Sequence, residues 1–181
     1  MQQALSLFSA RGYDAVGIQE ICEAALVTKP TLYHYFISKR GLLQALLDQH
    51  FAPLLTALET SSAYDHDITY SLEKVIRAYF DYARQNMTFY RWQLAMQFAP
   101  HESEPHQAVL PFLKKQFRLL ESLFQQAEGD HGNMRGRSHA YAATFLGMIN
   151  TYINLSYEQM LDPDDEQVYR LQHQFMHGIF S

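Results

Sequence analysis

A single cysteine, Cys22, stands in a chain of 181 residues, so no internal disulfide can form and the fold must hold by burial and hydrogen bonding alone. The N-terminus has no basic stretch followed by an apolar run, the pattern of a secretory leader. Both absences fit a reducing, cytoplasmic setting. No run of residues alternates apolar and polar as a half-buried strand would, and no internal repeat, low-complexity tract or linker breaks the chain. Glycine-rich phosphate loops, a GxSxG elbow and paired catalytic carboxylates are also missing, so no enzymatic chemistry is announced, and neither a cofactor nor a metal is expected.

A membrane span is excluded by a closer look at Ser138 to Tyr157. That window carries no Asp, Glu, Lys or Arg, yet it holds His139, Thr144, Asn150, Thr151, Asn154 and Ser156. It is too polar for hydrocarbon and reads as a helix buried among helices.

What the chain does have is apolar mass: 48% of residues are hydrophobic, with 12 Tyr, 12 Phe and 1 Trp. That suffices for one sizeable core, or a small lobe on a larger one. Its formal charge of −5 argues against nucleic acid until the charge is divided by region. Up to His50, the basic Arg11, Lys29, Lys39 and Arg40 balance Asp14, Glu20, Glu23 and Asp48. Of the 14 basic and 19 acidic residues, the other ten and fifteen lie later and carry the whole excess. Lys29, Lys39 and Arg40 therefore make a local basic edge on an acidic protein.

That edge surrounds Thr28 to Lys39. Thr28 is a good N-cap, and Pro30 falls in the first turn, where its missing N–H costs little. Leu32 and Phe36 provide one narrow apolar stripe. The other face carries Lys29, Thr31, Tyr33, His34 and Tyr35, with Lys39 just beyond. Cationic and hydroxyl groups on a thin helix suit phosphates and base edges. Upstream, Met1 to Arg11 reads as a helix stopped by Gly12. Gly17 to Ala25 reads as a second, with Ile18, Ile21, Cys22 and Ala25 at helical spacing. Two short helices joined by a tight turn and preceded by a third make a helix-turn-helix unit.

Phe8, Gly12-Tyr13, Ile18, Ile21, Ala25, Val27-Thr28, Thr31-Leu32-Tyr33, Tyr35-Phe36 and Ser38-Lys39 together resemble the N-terminal signature of the TetR family of transcriptional regulators. The resemblance implies an all-α protein: an N-terminal three-helix DNA-binding domain over residues 1–45, then a larger helical ligand-binding and dimerisation domain over 46–181. It also implies that Tyr33, Tyr35 and Lys39 touch DNA phosphates. Lys29, Thr31 and His34 are then assigned to base edges or adjacent phosphates. Departures are visible. Leu26 stands where the family has a turn glycine, so a Cβ must occupy that turn. Val16 and Gly17 replace the usual capping Thr/Ser, and Cys22 replaces a small apolar residue. The family also has further residues before the position of Met1, including a first turn and often a basic arm.

Beyond Ser38, a good cap, a long helix is predicted to about Leu58. Its basic start, Lys39-Arg40, opposes the helix dipole. Helices follow at Asp67 to Asn86, Thr88 to Phe98, Pro105 to Glu128 and Arg137 to Gln159. Pro111 either kinks the third of these or marks its start, and the loop Gly129 to Asn133 ends it. A last helix opens at Asp162, with Asp162 as cap and Pro163 at the first position. Tyr79, Phe89, Trp92, Met96, Phe117, Phe124, Phe145 and Tyr152 are apolar core in any protein. The resemblance makes them candidates for a ligand cavity. Arg77, Arg84 and Arg91 read as solvated surface.

The last two helices are apolar on more than one face, one for the chain's own core and one for a partner. Phe145, Ile149, Ile153, Leu171, Phe175 and Ile179 are the candidate dimer residues, and the resemblance implies a two-fold four-helix bundle suited to a palindromic operator in double-stranded DNA. His173 and His177, four apart, have a spacing able to share a metal, but no carboxylate accompanies them and they read as a surface or interface pair. His101 and His106 are equally weak. The expected function is a one-component homodimeric regulator, most simply a repressor released from its operator by a small-molecule effector. An all-helical ligand carrier or enzyme with a vestigial helix-turn-helix is the alternative.

Overall fold

The computed structural model describes residues 1–178, and among them every regular element is a helix. In chain order these are α1 (Gln2–Arg11), α2 (Ile18–Ala25), α3 (Lys29–Phe36), α4 (Lys39–Ser61), α5 (Ile68–Gln85), α6 (Met87–Gln97), α7 (Glu104–Ala127), α8 (Ser138–Tyr157) and α9 (Asp165–His177). A 3-10 turn, Gly132–Met134, sits between α7 and α8.

The helix ends follow local chemistry. Gly12, at φ 83°, stops α1 and returns its N–H to the Phe8 carbonyl. The Thr28 hydroxyl accepts from the Thr31 N–H at 3.3 Å and starts α3. Ser38 Oγ accepts from the Gly41 N–H at 3.0 Å and starts α4. One predicted end is corrected. The last helix is capped by Asp164, whose carboxylate accepts from the Gln167 N–H at 2.9 Å, not by Asp162. Pro163 lies outside the helix, because Arg84 donates to its carbonyl at 3.1 Å and holds that residue in the preceding turn. Pro111 lies inside α7 and does not mark its start. Ile179, one of the six candidate dimer residues, and Phe180 fall outside the described residues.

By packing, the helices group into two units. The first comprises Met1–Pro53 and Asn86–Leu113. Its core joins α1 to α6: Phe8 and Trp92 stack with centroids 5.7 Å apart. Phe51 packs edge-on against Phe89 at 5.2 Å and stacks on Phe112 at 4.6 Å. Ile21, Cys22 and Leu32 add the buried side of α2 and α3. The second comprises Leu54–Gln85 and Lys114 onward. There Phe124, Phe145 and Phe175 form an aromatic cluster, with Phe145 and Phe175 centroids 4.8 Å apart. Val168 and Leu171 of α9 are buried in the same unit. No helix among the described residues is long and apolar enough to cross a membrane.

Candidate nucleic-acid interface

The helix α3 buries one residue, Leu32, and half-buries Phe36. Lys29, Thr31, Tyr33, His34 and Tyr35 are all exposed, Tyr35 by 72%. Eight residues with so little burial give α3 little tertiary support, so its cap and its anchor at Leu32 hold it in place. The hydroxyls of Thr28 and Thr31 lie 2.8 Å apart, which orients the Thr31 side chain on the outer face. His34 meets Tyr35 edge to face at 5.3 Å. All five outward groups offer hydrogen bonds to solvent or to a phosphate backbone, and none is needed for the core.

Lys39, the sixth residue singled out, is half-buried and differently placed. Its ammonium lies 4.1 Å from the centroid of Tyr13 and 5.9 Å from that of Phe8. A cation at the start of α4 faces the positive end of the helix dipole, and the negative faces of two rings offset that repulsion. The Tyr13 hydroxyl in turn donates to the Glu104 carboxylate, while Arg40 Nε stands 3.9 Å from the same carboxylate. Burial first, then the bond to Glu104, pushes the Tyr13 phenol well above its ordinary pKa, so it stays a neutral donor. The sequence reading missed Glu104. It lies 91 residues from Tyr13 and starts α7, so no local spacing pointed to it.

Two joints frame α3. Leu26, in the left-handed conformation at φ 54° and ψ 41°, makes the turn from α2 and is 93% exposed. This is the strained turn expected where a glycine is absent. Ile37, at φ 64° and ψ −41°, joins α3 to α4 in a tight turn in which the Ser38 N–H reaches the Phe36 carbonyl at 2.6 Å. Here Gly41 is required: a Cβ on it would sit 1.9 Å from the Phe36 carbonyl oxygen.

The eight candidate ligand residues fall in both units. Phe89, Trp92 and Met96 are buried in the first unit, beside Phe8 and Phe51, while Tyr79, Phe117, Phe124, Phe145 and Tyr152 belong to the second. Of the latter, Tyr79, Phe124 and Phe145 are fully buried. Phe117 packs edge-on to His139, and the Tyr152 hydroxyl donates to Gln174 Oε1 at 2.7 Å. An open cleft of about 410 Å3 in the second unit lies under the turn before α9 and is lined by Arg77, Phe80, Asp81, Arg84, residues 162–165 and Val168. Arg77 bonds Asp165 there at 2.5 Å and holds its carboxyl below the usual range.

Four of the candidate dimer residues, Phe145, Ile149, Ile153 and Leu171, are buried within the chain itself, and Phe175 is half-buried in the same cluster. The exposed stripe on α8 is made instead of small residues, Ala140, Ala143, Thr144, Gly147, Thr151 and Asn154. On α9 the exposed side carries Tyr169, His173, Met176 and His177, the two imidazoles 4.6 Å apart.

With this geometry in view, comparison with known proteins places the exposed helix in a recognised setting. Residues 1–46 match the family described as bacterial regulatory proteins, tetR family. The transcriptional activator FasR of Mycolicibacterium smegmatis is 34% identical over 88 residues, which is 49% of this chain and 40% of FasR. The chain thus spans less than half of that relative's length. Among solved structures, the TetR family regulator PfmR of Thermus thermophilus aligns over 99% of this chain and 98% of its own, with a TM-score of 0.75 and 20% identity. The regulator FadR of Bacillus subtilis, solved with stearoyl-CoA, aligns over 98% and 96%, with a TM-score of 0.79 and 17% identity. These two likenesses are of fold.

Proposed function

Because the chain belongs to the TetR family of bacterial regulatory proteins, we propose that it is a cytoplasmic one-component regulator, a homodimer that holds a palindromic operator and releases it when a small molecule binds. The observation that carries this reading is α3: it buries Leu32 alone and turns Lys29, Thr31, Tyr33, His34 and Tyr35 to solvent. Residues 1–45 do the reading. Tyr33, Tyr35 and Lys39 hold phosphates and set the register, while Lys29, Thr31 and His34 meet base edges in the major groove. Its relatives are transcriptional regulators rather than enzymes, which favours this over the carrier or enzyme alternative.

Residues 46–181 bind the effector and the second copy. The burial of Phe145, Ile149, Ile153 and Leu171 supports moving the partner face to the small-residue stripe of α8 and the Tyr169, His173 and Met176 side of α9, where two helix pairs can approach closely. An acyl compound is the first effector to try, because FadR was solved with stearoyl-CoA. The effector shifts operator occupancy only by binding the free and DNA-bound conformations unequally, through the tilt of α4. We assign the sign as repression. Footprinting on DNA flanking the protein's own gene tests the reading: two protected half-sites about one helical turn apart support it, and uniform protection of every fragment contradicts it. A reporter that falls when the protein is expressed supports repression; one that rises reverses the sign.

A further inference from the structure

Tyr79 and Gln116 form a polar pair inside the second unit. Tyr79 on α5 is fully buried, and its hydroxyl donates to Gln116 Oε1 on α7 at 3.1 Å. Gln116 is only 3% exposed, and its Nε2, with two N–H donors, has no acceptor. Leu72, Val75 and Ile76 on α5 and Leu120 on α7, buried at helical spacing from the pair, have no lone pair to offer. A buried amide that leaves both donors dry is destabilising, and the bond to Tyr79 uses only its oxygen. Beyond its bond to Tyr79, Gln116 thus keeps two unmatched N–H groups.

With the phenol on Oε1, the unmatched groups of the amide are its N–H donors. Burial pushes the Tyr79 pKa far up, so this donor does not ionise away. Resting on the reading of the chain as a ligand-responsive regulator, we propose that Gln116 is the polar anchor of the effector site. Its Nε2 donates to a carbonyl or carboxylate oxygen of a ligand whose remainder is apolar, and Tyr79 positions the amide. A ligand head that only donates, or neither donates nor accepts, leaves the amide unmatched and is disfavoured.

Calorimetry with three ten-carbon probes tests this: decanoate, methyl decanoate and decyltrimethylammonium, which has no acceptor. Wild-type protein is expected to bind both carbonyl probes about tenfold or more tightly than the ammonium. Gln116→Leu should lose that preference, and because it also orphans the buried Tyr79 hydroxyl, its melt without ligand is expected somewhat below wild type. Tyr79→Phe keeps the ring and should lose the preference too, and it serves as the readout should Gln116→Leu fail to fold. A wild type with no carbonyl preference or no binding of either carbonyl probe, the result if a buried water already fills the donors, would overturn the proposal. So would variants that keep the preference. Operator binding without ligand is measured alongside; its loss in wild type would count against the regulator reading and leave the probe result to judge Gln116 alone.

Discussion

The Lys39 ammonium rests 4.1 Å from the centre of the Tyr13 ring, which holds the charge at the edge of the exposed helix before any DNA is present. Lys39→Ala should weaken binding to every sequence alike and reduce the salt slope by about 1, as loss of one phosphate contact does. Tyr13→Leu, which removes the ring but no charge, should weaken binding in the same uniform way. Tyr13→Phe keeps the ring face and should retain most of the affinity. Fluorescence anisotropy on specific and scrambled duplexes separates these, and a Tyr13→Leu variant that binds like wild type would remove the positioning role.

Substitutions on the outer face of α3 should behave otherwise. Lys29→Ala and His34→Ala are expected to change which base pairs are preferred, by roughly 1–3 kcal/mol at the position read. Selection from a randomised half-site checks this. Equal losses on every sequence would move both residues to the phosphates.

The joints around α3 predict opposite signs for neighbouring changes. Ile37 and Leu26 are almost fully exposed at positive φ, so replacing either with glycine removes strain and no burial. Each should stabilise by about 1 kcal/mol. Gly41→Ala forces a Cβ toward the Phe36 carbonyl and should cost about 2–3 kcal/mol. Thermal melts of the three variants decide it.

How these features showed in the sequence differs by kind. Thr28, Pro30 and Leu32 announced α3 because capping and helical spacing are local, and Leu26 announced its strained turn because a side chain stands where a glycine is usual. Gly41 was not legible, since its need comes from one carbonyl across a turn whose geometry appears only when α3 and α4 are both built. Glu104 and Gln116 were invisible for a plainer reason: their partners, Tyr13 and Tyr79, are 91 and 37 residues away. The dimer residues were picked for apolarity, and apolarity on α8 marks the chain's own core, while its exposed stripe is small and mildly polar.

His50 gives the first unit a pH dependence. Its ring stacks on Phe89 at 4.5 Å, and burial lowers its pKa from the ordinary 6.5. Below 6.5 the unfolded chain takes up a proton that the folded chain does not, so stability falls as pH drops from 6.5 toward the folded value. Asp130 and Asp165, depressed from 3.8, act only in far more acid solution. Melting temperature should therefore drop as the pH falls below about 6.5. His50→Phe, which keeps a stacked ring, should flatten that drop; an unchanged pH profile would exclude His50 as its source.

Gly147 separates partner contact from folding. A Cβ there meets no heavy atom within 4 Å, so Gly147→Glu is sterically free in the single chain. It should leave the melt almost unchanged and convert the protein to monomer in sedimentation. Phe145→Ala should instead cost about 3–5 kcal/mol of stability, because it empties the core. A Gly147→Glu protein that stays dimeric would place the partner face elsewhere.

Whether α3 and its basic edge read DNA is decided by a salt titration of wild-type protein on its own upstream duplex and on a scrambled duplex. Affinity for both should fall linearly with log salt, with a slope of several units, and the native duplex should stay tighter by roughly a thousandfold or more. Flat salt dependence, or equal affinity for the two duplexes at every salt concentration, would contradict it.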